Sequence, residues 1–277
     1  MTEKTRAPAT SRDFRRLHEG PAPLMLPNAW DAGTARLIEN LGAKAIATTS
    51  AGVAWSRGYP DGNALPNDQL IALTRDIARA IRVPLSIDVE AGYSDDPGTV
   101  AQLVVAILDA GAVGINIEDG ADTPDLLCKK IGSIRERSAH SGVDLFINAR
   151  TDVYLRRIAS GAAAVEEVIG RAARYRSAGC DGLFVPGLAD GSAMAEIAAA
   201  IKPMPLNIMA APGLLSIDAL QNYGVRRVSA GSAIAQAAFG CAGRLAAGFL
   251  AGTVSEMFSA AAEYGAMNAL FARNVHD

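Results

Sequence analysis

The stretch Ser86-Ile87-Asp88-Val89-Glu90-Ala91-Gly92-Tyr93 sets two carboxylates two positions apart at the end of an apolar run. In a strand the side-chain period of two puts Asp88 and Glu90 on one face, where the strand gives way to a glycine-containing loop. Two like charges side by side repel, so the pair calls for a hard metal ion or a bound cationic group; a solvated strand end is the plain alternative. Polar groups close other apolar runs in the same way. Thr48-Thr49-Ser50-Ala51-Gly52, Asn116-Ile117-Glu118-Asp119 and Asn148-Ala149-Arg150-Thr151-Asp152 do so, Asn207 lies in Pro205-Leu206-Asn207-Ile208-Met209, and Asp61 sits in the turn Gly58-Tyr59-Pro60-Asp61-Gly62.

If these runs end at one place, Asp88, Glu90 and Glu118 form a hard oxygen site suited to Mg²⁺ or Mn²⁺, ions that keep several waters and accept a few carboxylates. The structural alternative is an ion-pair network with Arg150. Beside a metal, Arg150 is a planar fork for a substrate carboxylate. Ser50, Ala51 and Gly52 offer a hydroxyl and unhindered backbone N–H groups, an anion cradle or simply a strand-to-loop exit. Cys128, Cys180 and Cys241 are scattered, with neither zinc nor disulfide spacing, which fits a reducing compartment. His18, His140 and His276 fall in the lead-in, near a helix end and at the C-terminus, and none is placed for catalysis. Trp30 and Trp55 read as core or rim packing.

The elements that must gather these residues repeat along the chain. Four helices end in glycine and pass into a short apolar strand, at Gly42, Gly111, Gly179 and Gly224. A glycine just past a helix takes the left-handed cap, and a continuous apolar run marks a strand covered on both faces. Asp31, Asn67, Asp96-Pro97 and Thr123-Pro124 open helices, the second with Leu70, Leu73, Ile77 and Ile81 at a 3.6-residue period. Counting from Leu24-Met25-Leu26 to the strand near Arg226 to Ser229 gives eight strands, each followed by a helix. Right-handed parallel connections then predict an α/β fold, a (β/α)8 TIM barrel, with strand C-termini sharing one mouth. A doubly wound open sheet is the competitor, but no glycine-rich phosphate loop follows the first strand. Residues 1–20 read as a flexible lead-in or a short surface helix over 11–17. The apolar segment 253–272 reads as an extra helix for oligomerisation, giving one barrel domain over 1–277.

Half of the 277 residues are hydrophobic and the formal net charge is -3, which argues against a nucleic-acid surface. The first twenty residues lack a signal-type apolar core, and no uninterrupted apolar span of membrane length is read. The expectation is a soluble cytoplasmic enzyme that binds no nucleic acid and no membrane.

Taken together, the chain resembles the isocitrate lyase/phosphoenolpyruvate mutase superfamily along nearly its whole barrel. The likeness rests on Leu26-Pro27-Asn28-Ala29-Trp30-Asp31, Ser50-Ala51-Gly52, Gly58-Tyr59-Pro60-Asp61, Asp88-Val89-Glu90-Ala91-Gly92-Tyr93, Ile117-Glu118-Asp119, Asn148-Ala149-Arg150-Thr151-Asp152 and Pro205-Leu206-Asn207. The resemblance implies Mg²⁺ near Asp88, with Glu90, Glu118 and Asp61 acting largely through metal-bound water. It also implies a substrate carboxylate held by Ser50, Gly52, Arg150 and Asn207, with a helix swapped between subunits in a homodimer or homotetramer. Family reactions break or form a C–C or P–C bond through a metal-chelated pyruvate enolate.

Two departures bear on the reaction. The C–C lyases carry a Lys-(Lys/Arg)-Cys-Gly-His segment on a mobile loop after the strand-four acids, where this chain has Gly120-Ala121-Asp122-Thr123-Pro124. Cys128-Lys129-Lys130 has the reverse order and belongs to a helix. A glutamate of the methylisocitrate lyases is Pro186 here, and Glu90 stands where aspartate is more usual. The expectation is a Mg²⁺-dependent lyase cleaving a C–C bond of a small 2-oxo or 2-hydroxy carboxylic acid. Arg150, Asp61 and Glu118 would be catalytic, and Ser50, Ala51, Gly52, Asp88, Arg150 and Asn207 would bind the substrate. A P–C mutase or hydrolase acting on a phosphonopyruvate-like substrate, an oxoacid decarboxylase, and a non-catalytic metal- and oxoacid-binding barrel are the alternatives.

Overall fold

The computed structural model describes residues 10–140, 144–259 and 261–272. Residues 1–9 of the lead-in and His276 lie outside that range. Nine strands form one all-parallel sheet: β1 Leu24–Leu26, β2 Asn28–Ala29, β3 Ile46–Thr48, β4 Leu85–Asp88, β5 Gly114–Glu118, β6 Phe146–Arg150, β7 Gly182–Val185, β8 Leu206–Met209 and β9 Val225–Ser229. The neighbour order runs β1-β9-β8-β7-β6-β5-β4-β3-β2. Since β1 and β2 are separated by Pro27 alone, which has no N–H to give a ladder, they are one strand split at a proline. Its first half pairs with β9 and its second with β3, so the sheet runs round on itself as the TIM-type barrel the pattern predicts.

The local signals hold where they were strongest. Gly42, Gly111, Gly179 and Gly224 all take left-handed backbone, with φ of 96°, 110°, 111° and 81°. Asp31 caps Ala32–Asn40 in a reciprocal capping box with Thr34, and Asp96 accepts the N–H of Thr99 before a helix that starts on Pro97. One boundary moves: Asn67 is the first helical residue and Pro66 the flanking one, because proline favours extended backbone there.

Alternation along the strands sorts two cores. Ile87, Ile115, Ile117, Ile147 and Ala149 join the apolar layer between sheet and helices. Leu24, Leu26, Ala45, Ala47 and Phe146 face the barrel interior, and Phe14 completes that inner cluster. This corrects the reading of residues 11–17 as a surface helix. Helix Ser11–Arg16 plugs the N-terminal end of the barrel, with Phe14 fully buried edge-on to Phe146 at 5.2 Å and 2.9 Å from where a Cβ on Gly114 would stand. His18 stacks on Phe146 at 4.6 Å and bonds Phe14 O through Nδ1. Burial, with help from Arg227, pushes it down to about 3, so it stays neutral. Arg15 ties the plug to the rim through Asp144 and Asp181.

The far end of the chain differs from expectation more. Within 253–272 the described residues form two helices, Ser255–Ser259 and Tyr264–Ala272, and the second lies on the chain's own helix Ala32–Asn40, where Arg36 Nε donates to Leu270 O. The helix that follows β9, Ala233–Leu250, buries Ala235 alone and leaves the outer face of β1 uncovered at Met25. It is also, among the described residues, one helix long and apolar enough to cross a membrane, an exception to the reading that no such span exists. Arg244 interrupts it and pairs with Glu256.

Replacing the plug's anchor tests this arrangement. Phe14→Ala is expected to lower the unfolding free energy by about 3–5 kcal/mol, read from the denaturant midpoint at unchanged slope.

Candidate active site

Asp88, Glu118 and Arg150 end β4, β5 and β6, and the register sets Asp88 beside Asn116 and Glu118 beside Arg150. Parallel strands in register deliver strand-terminal side chains to one rim, and the inward ones share it. Thr48 Oγ1 accepts the Asp88 N–H at 2.8 Å, tying the end of β4 to β3.

Arg150 sits among acids. Its Nε and Nη2 grip Asp152 at 2.7 and 3.0 Å, and its Nη1 meets Glu118 Oε2 at 2.5 Å. Burial works against its charge, but Glu118 and Asp152 outweigh that and hold it protonated. Burial pushes Asp88 up to about 6, with Arg150 opposing and Glu90 and Asp61 adding to the rise. Burial likewise pushes Glu118 up to about 8, against Arg150 and with Asp88, Asp152 and Glu90. The carboxylate cluster is therefore short of positive charge, and one arginine does not make up the deficit.

Asp119 underpins this rim. Fully buried, its carboxylate accepts the Asp152 N–H at 2.9 Å, Arg171 Nη1 at 2.8 Å and the Tyr175 hydroxyl at 2.5 Å. Arg171 and Tyr175 are four residues apart on helix Gly161–Ala178, a spacing that puts them on one face. That spacing was the available signal for a role the sequence reading missed.

Glu90 does not continue the strand. Its φ of 50° is left-handed, so the period-of-two argument for a shared face with Asp88 stops at β4. It is 4% exposed, with Oε1 accepting the Tyr93 hydroxyl at 2.8 Å and Oε2 the Asn63 N–H. Asp61, on the exposed turn two residues before Asn63, lies near enough for its charge to raise both Asp88 and Glu90.

Ser50, Ala51 and Gly52 form the first turn of helix Ser50–Ser56 behind β3, where backbone N–H groups have no partner within the helix. A Cβ on Gly52 would come within 2.8 Å of Thr49 and 3.0 Å of Trp30 and Ala235, so that turn packs too closely for any larger residue. Asn207 lies deeper, 1% exposed inside the barrel, with Oδ1 accepting from Ser229 and Nδ2 without a hydrogen-bond partner. Beside it Arg227, unremarked from sequence, is wholly buried: Nη2 reaches Asn116 Oδ1 and Nε reaches Ser229 Oγ, both at 3.2 Å, while Nη1 has no hydrogen-bond partner among the described residues. Burial pulls it down to about 9 while Asp88 holds it up. Its one visible signal was an arginine pair inside an otherwise apolar strand.

Among the described residues no three acids, histidines or cysteines stand ready to hold a metal ion, because Glu118 is turned to Arg150 and Glu90 to Asn63 and Tyr93. The donor chemistry nevertheless fits a hard dication. Asp88 and Glu118 are oxygen donors raised by burial and by each other, and Mg²⁺ is commonly held by one or two carboxylates with waters filling the rest. The segment Gly120–Pro124 is a tight turn, with Asp122 N donating to Asp119 O at 2.7 Å. Cys128, Lys129 and Lys130 lie on helix Pro124–His140, where Lys130 is buried and donates to Ala91 O.

The family model described as phosphoenolpyruvate phosphomutase matches residues 14–250. An uncharacterized protein of Mycobacterium tuberculosis is 40% identical over 224 residues, spanning 79% of this chain and 81% of that one. An oxaloacetate decarboxylase of Pseudomonas entomophila is 28% identical over 232 residues, 79% and 78% of the two chains. A crystal structure of a provisionally described lyase/mutase from Burkholderia cenocepacia superposes with a TM-score of 0.85 at 36% identity, covering 95% of each chain.

A carboxyl group raised by folding retains its proton in the native state at a pH where the unfolded chain has released it, so stability falls as pH rises between the two values. With Asp88 at about 6 and Glu118 at about 8, the melting temperature in EDTA is expected to fall from about pH 4 to about pH 8. Saturating Mg²⁺ should flatten that fall, as followed by scanning calorimetry across the range.

Proposed function

Because the chain belongs to the phosphoenolpyruvate phosphomutase family, within the isocitrate lyase/phosphoenolpyruvate mutase superfamily, we propose that it is a divalent-cation-dependent lyase that cleaves a carbon–carbon bond of a small 2-oxo or 2-hydroxy carboxylic acid. Members of the superfamily are lyases, mutases and hydrolases acting on oxoacids. The observation that carries the reading is Arg150, charged and half enclosed between Glu118 and Asp152 beside the proton-hungry Asp88.

Asp88 and Glu118 would hold Mg²⁺ or Mn²⁺, which when bound supplies positive charge against the oxygens of an oxoacid. Every other contribution comes from the chain. Arg150 presents a fixed cation in a site that burial has made poor in water, where charge developing on a substrate oxygen is stabilised without reorganisation. The unpaired first-turn N–H groups of Ser50, Ala51 and Gly52 offer donors to a carboxylate, and Asn207 Nδ2 is a further free donor below them. Asp61 lies on an exposed turn near enough for its charge to raise Asp88, and the reading assigns it the movement of a proton.

Within that class, the tight Gly120–Pro124 turn favours decarboxylation. Its acid, Asp122, is paired with the buried Lys130 at 3.6 Å, and Lys130 also donates to Ala91 O, so neither is held free for a leaving fragment. Loss of CO₂ breaks the bond with the electron pair left on the carbon beside the carbonyl, so the departing fragment takes no proton, and the enolate left behind is protonated at that carbon from water to give pyruvate. The Pseudomonas entomophila relative supports this choice. The exposed apolar helix Ala233–Leu250, carrying Ile234, Phe239 and Phe249 outward, further supports a homodimer or homotetramer in which another subunit covers it.

Purified protein with Mg²⁺ is expected to release CO₂ and pyruvate from oxaloacetate in a panel with methylisocitrate, isocitrate and phosphonopyruvate. EDTA should abolish the activity, and Arg150→Ala should lower kcat/KM by about 10²–10³-fold. Phosphate from phosphonopyruvate with no carbon–carbon cleavage would reassign the reaction. Tight oxalate binding with no product from any substrate would reduce the protein to a binder.

A further inference from the structure

We infer that Glu90 is a latch: its carboxylate fastens the loop that carries Asp61 over the mouth, and it acts on the reaction by positioning Asp61 rather than by binding the cation. Three residues from two loops close a ring. Glu90 Oε2 accepts the Asn63 N–H, Glu90 Oε1 accepts the Tyr93 hydroxyl at 2.8 Å, and Asn63 Oδ1 accepts the Tyr93 N–H at 3.2 Å. Asn63 is two residues from Asp61, so whatever holds Asn63 sets the height of Asp61 above Asp88.

The main chain of Glu90 is tied to the ends of β4 and β5 while its side chain belongs to the loop. Its N–H donates to Asp88 Oδ1 at 3.1 Å and its carbonyl accepts the Glu118 N–H at 2.9 Å. Behind it the turn packs closely on the next helix: a Cβ on Gly92 would stand 2.6 Å from Val100, so no larger residue fits there. The other side of the loop is tied by Gln69 Nε2 donating to the Tyr59 hydroxyl at 3.1 Å.

All three members of the ring hold left-handed backbone although none is glycine, with φ of 60° at Asn63, 50° at Glu90 and 58° at Tyr93. Side-chain-bearing residues persist there when the surroundings over-determine them. Here the ring itself does so. Turning either carboxylate oxygen toward a cation would remove the acceptor from Asn63 or from Tyr93 and release that strain into the loop. The length of the side chain follows from the same geometry: aspartate, one methylene shorter on the same anchored backbone, would not span both donors.

The inference takes the mouth to be the active site, but its main test requires no substrate, so it can fail while the proposed reaction stands. Hydrogen exchange over residues 58–64 is compared in wild type, Glu90→Asp and Tyr93→Phe, alongside Mn²⁺ affinity by electron paramagnetic resonance. Glu90→Asp keeps the charge and loses the reach; Tyr93→Phe keeps the carboxylate whole and removes one of its donors. Both are expected to speed exchange in the loop by about tenfold or more, with Mn²⁺ dissociation constants within about threefold of wild type. In turnover, Glu90→Asp should lower kcat in the native background and have little further effect on Asp61→Asn, a non-additivity that a general structural defect would not give. Unchanged exchange in both variants overturns the inference. So does a tenfold or greater loss of Mn²⁺ affinity confined to Glu90→Asp, which would make Glu90 a ligand, and so do additive effects on kcat.

Discussion

At the mouth of the barrel the charges of Asp61 and Glu90 reach Asp88 and those of Asp88 and Glu90 reach Glu118, and the cluster depends on how that charge is met. Arg150 is the fixed cation among them, and it is divided between Glu118 and Asp152. Burial and mutual repulsion still leave Asp88 and Glu118 raised, which is the electrostatic condition a bound dication relieves. An oxoacid bound there, as proposed, would bring further negative charge and would have to compete with Glu118 and Asp152 for the guanidinium.

Support for that rim comes from below and from outside. Asp119, satisfied by Arg171, Tyr175 and the Asp152 backbone, fixes the segment that carries Asp152 and therefore the angle at which Arg150 is gripped. Under the mouth the barrel axis is polar where such barrels are commonly filled with branched apolar side chains: Asn116, Asn148, Asn207, Arg227 and Ser229 bond one another there. A wholly buried guanidinium with neutral contacts is costly, and the field of Asp88 is what offsets it. The plug helix seals the base of this column with Phe14, 6.0 Å below the Arg227 guanidinium. The two ends of the barrel are thereby joined electrostatically through one interior layer.

The departures from the lyases are concentrated where proton transfer to a leaving group would occur. The Gly120–Pro124 turn is closed on itself and the adjacent lysine faces inward, while the other half of the mouth is built from well-fixed acids. On the proposed reading, a site rich in charge stabilisation would suit a bond cleavage whose departing fragment needs no proton.

Much of the architecture was written locally. Glycines after four helices, aspartates before two of them and the 3.6-residue period of Leu70, Leu73 and Ile77 each depend on neighbours a few residues away, and they sufficed to imply a parallel barrel with Asp88, Glu118 and Arg150 at one end. What required the tertiary structure was every relation between distant segments. Pro27 divides a strand between two neighbours, residues 11–16 plug the barrel, and helix Ala233–Leu250 buries Ala235 alone. Most tellingly, Glu90 turns to Asn63 because its backbone is left-handed, a conformation that strand periodicity assumes away. Sequence spacing fixes which acids arrive at the mouth, since strand direction is local; which donor each acid finally meets is decided by register and loop contact across the barrel.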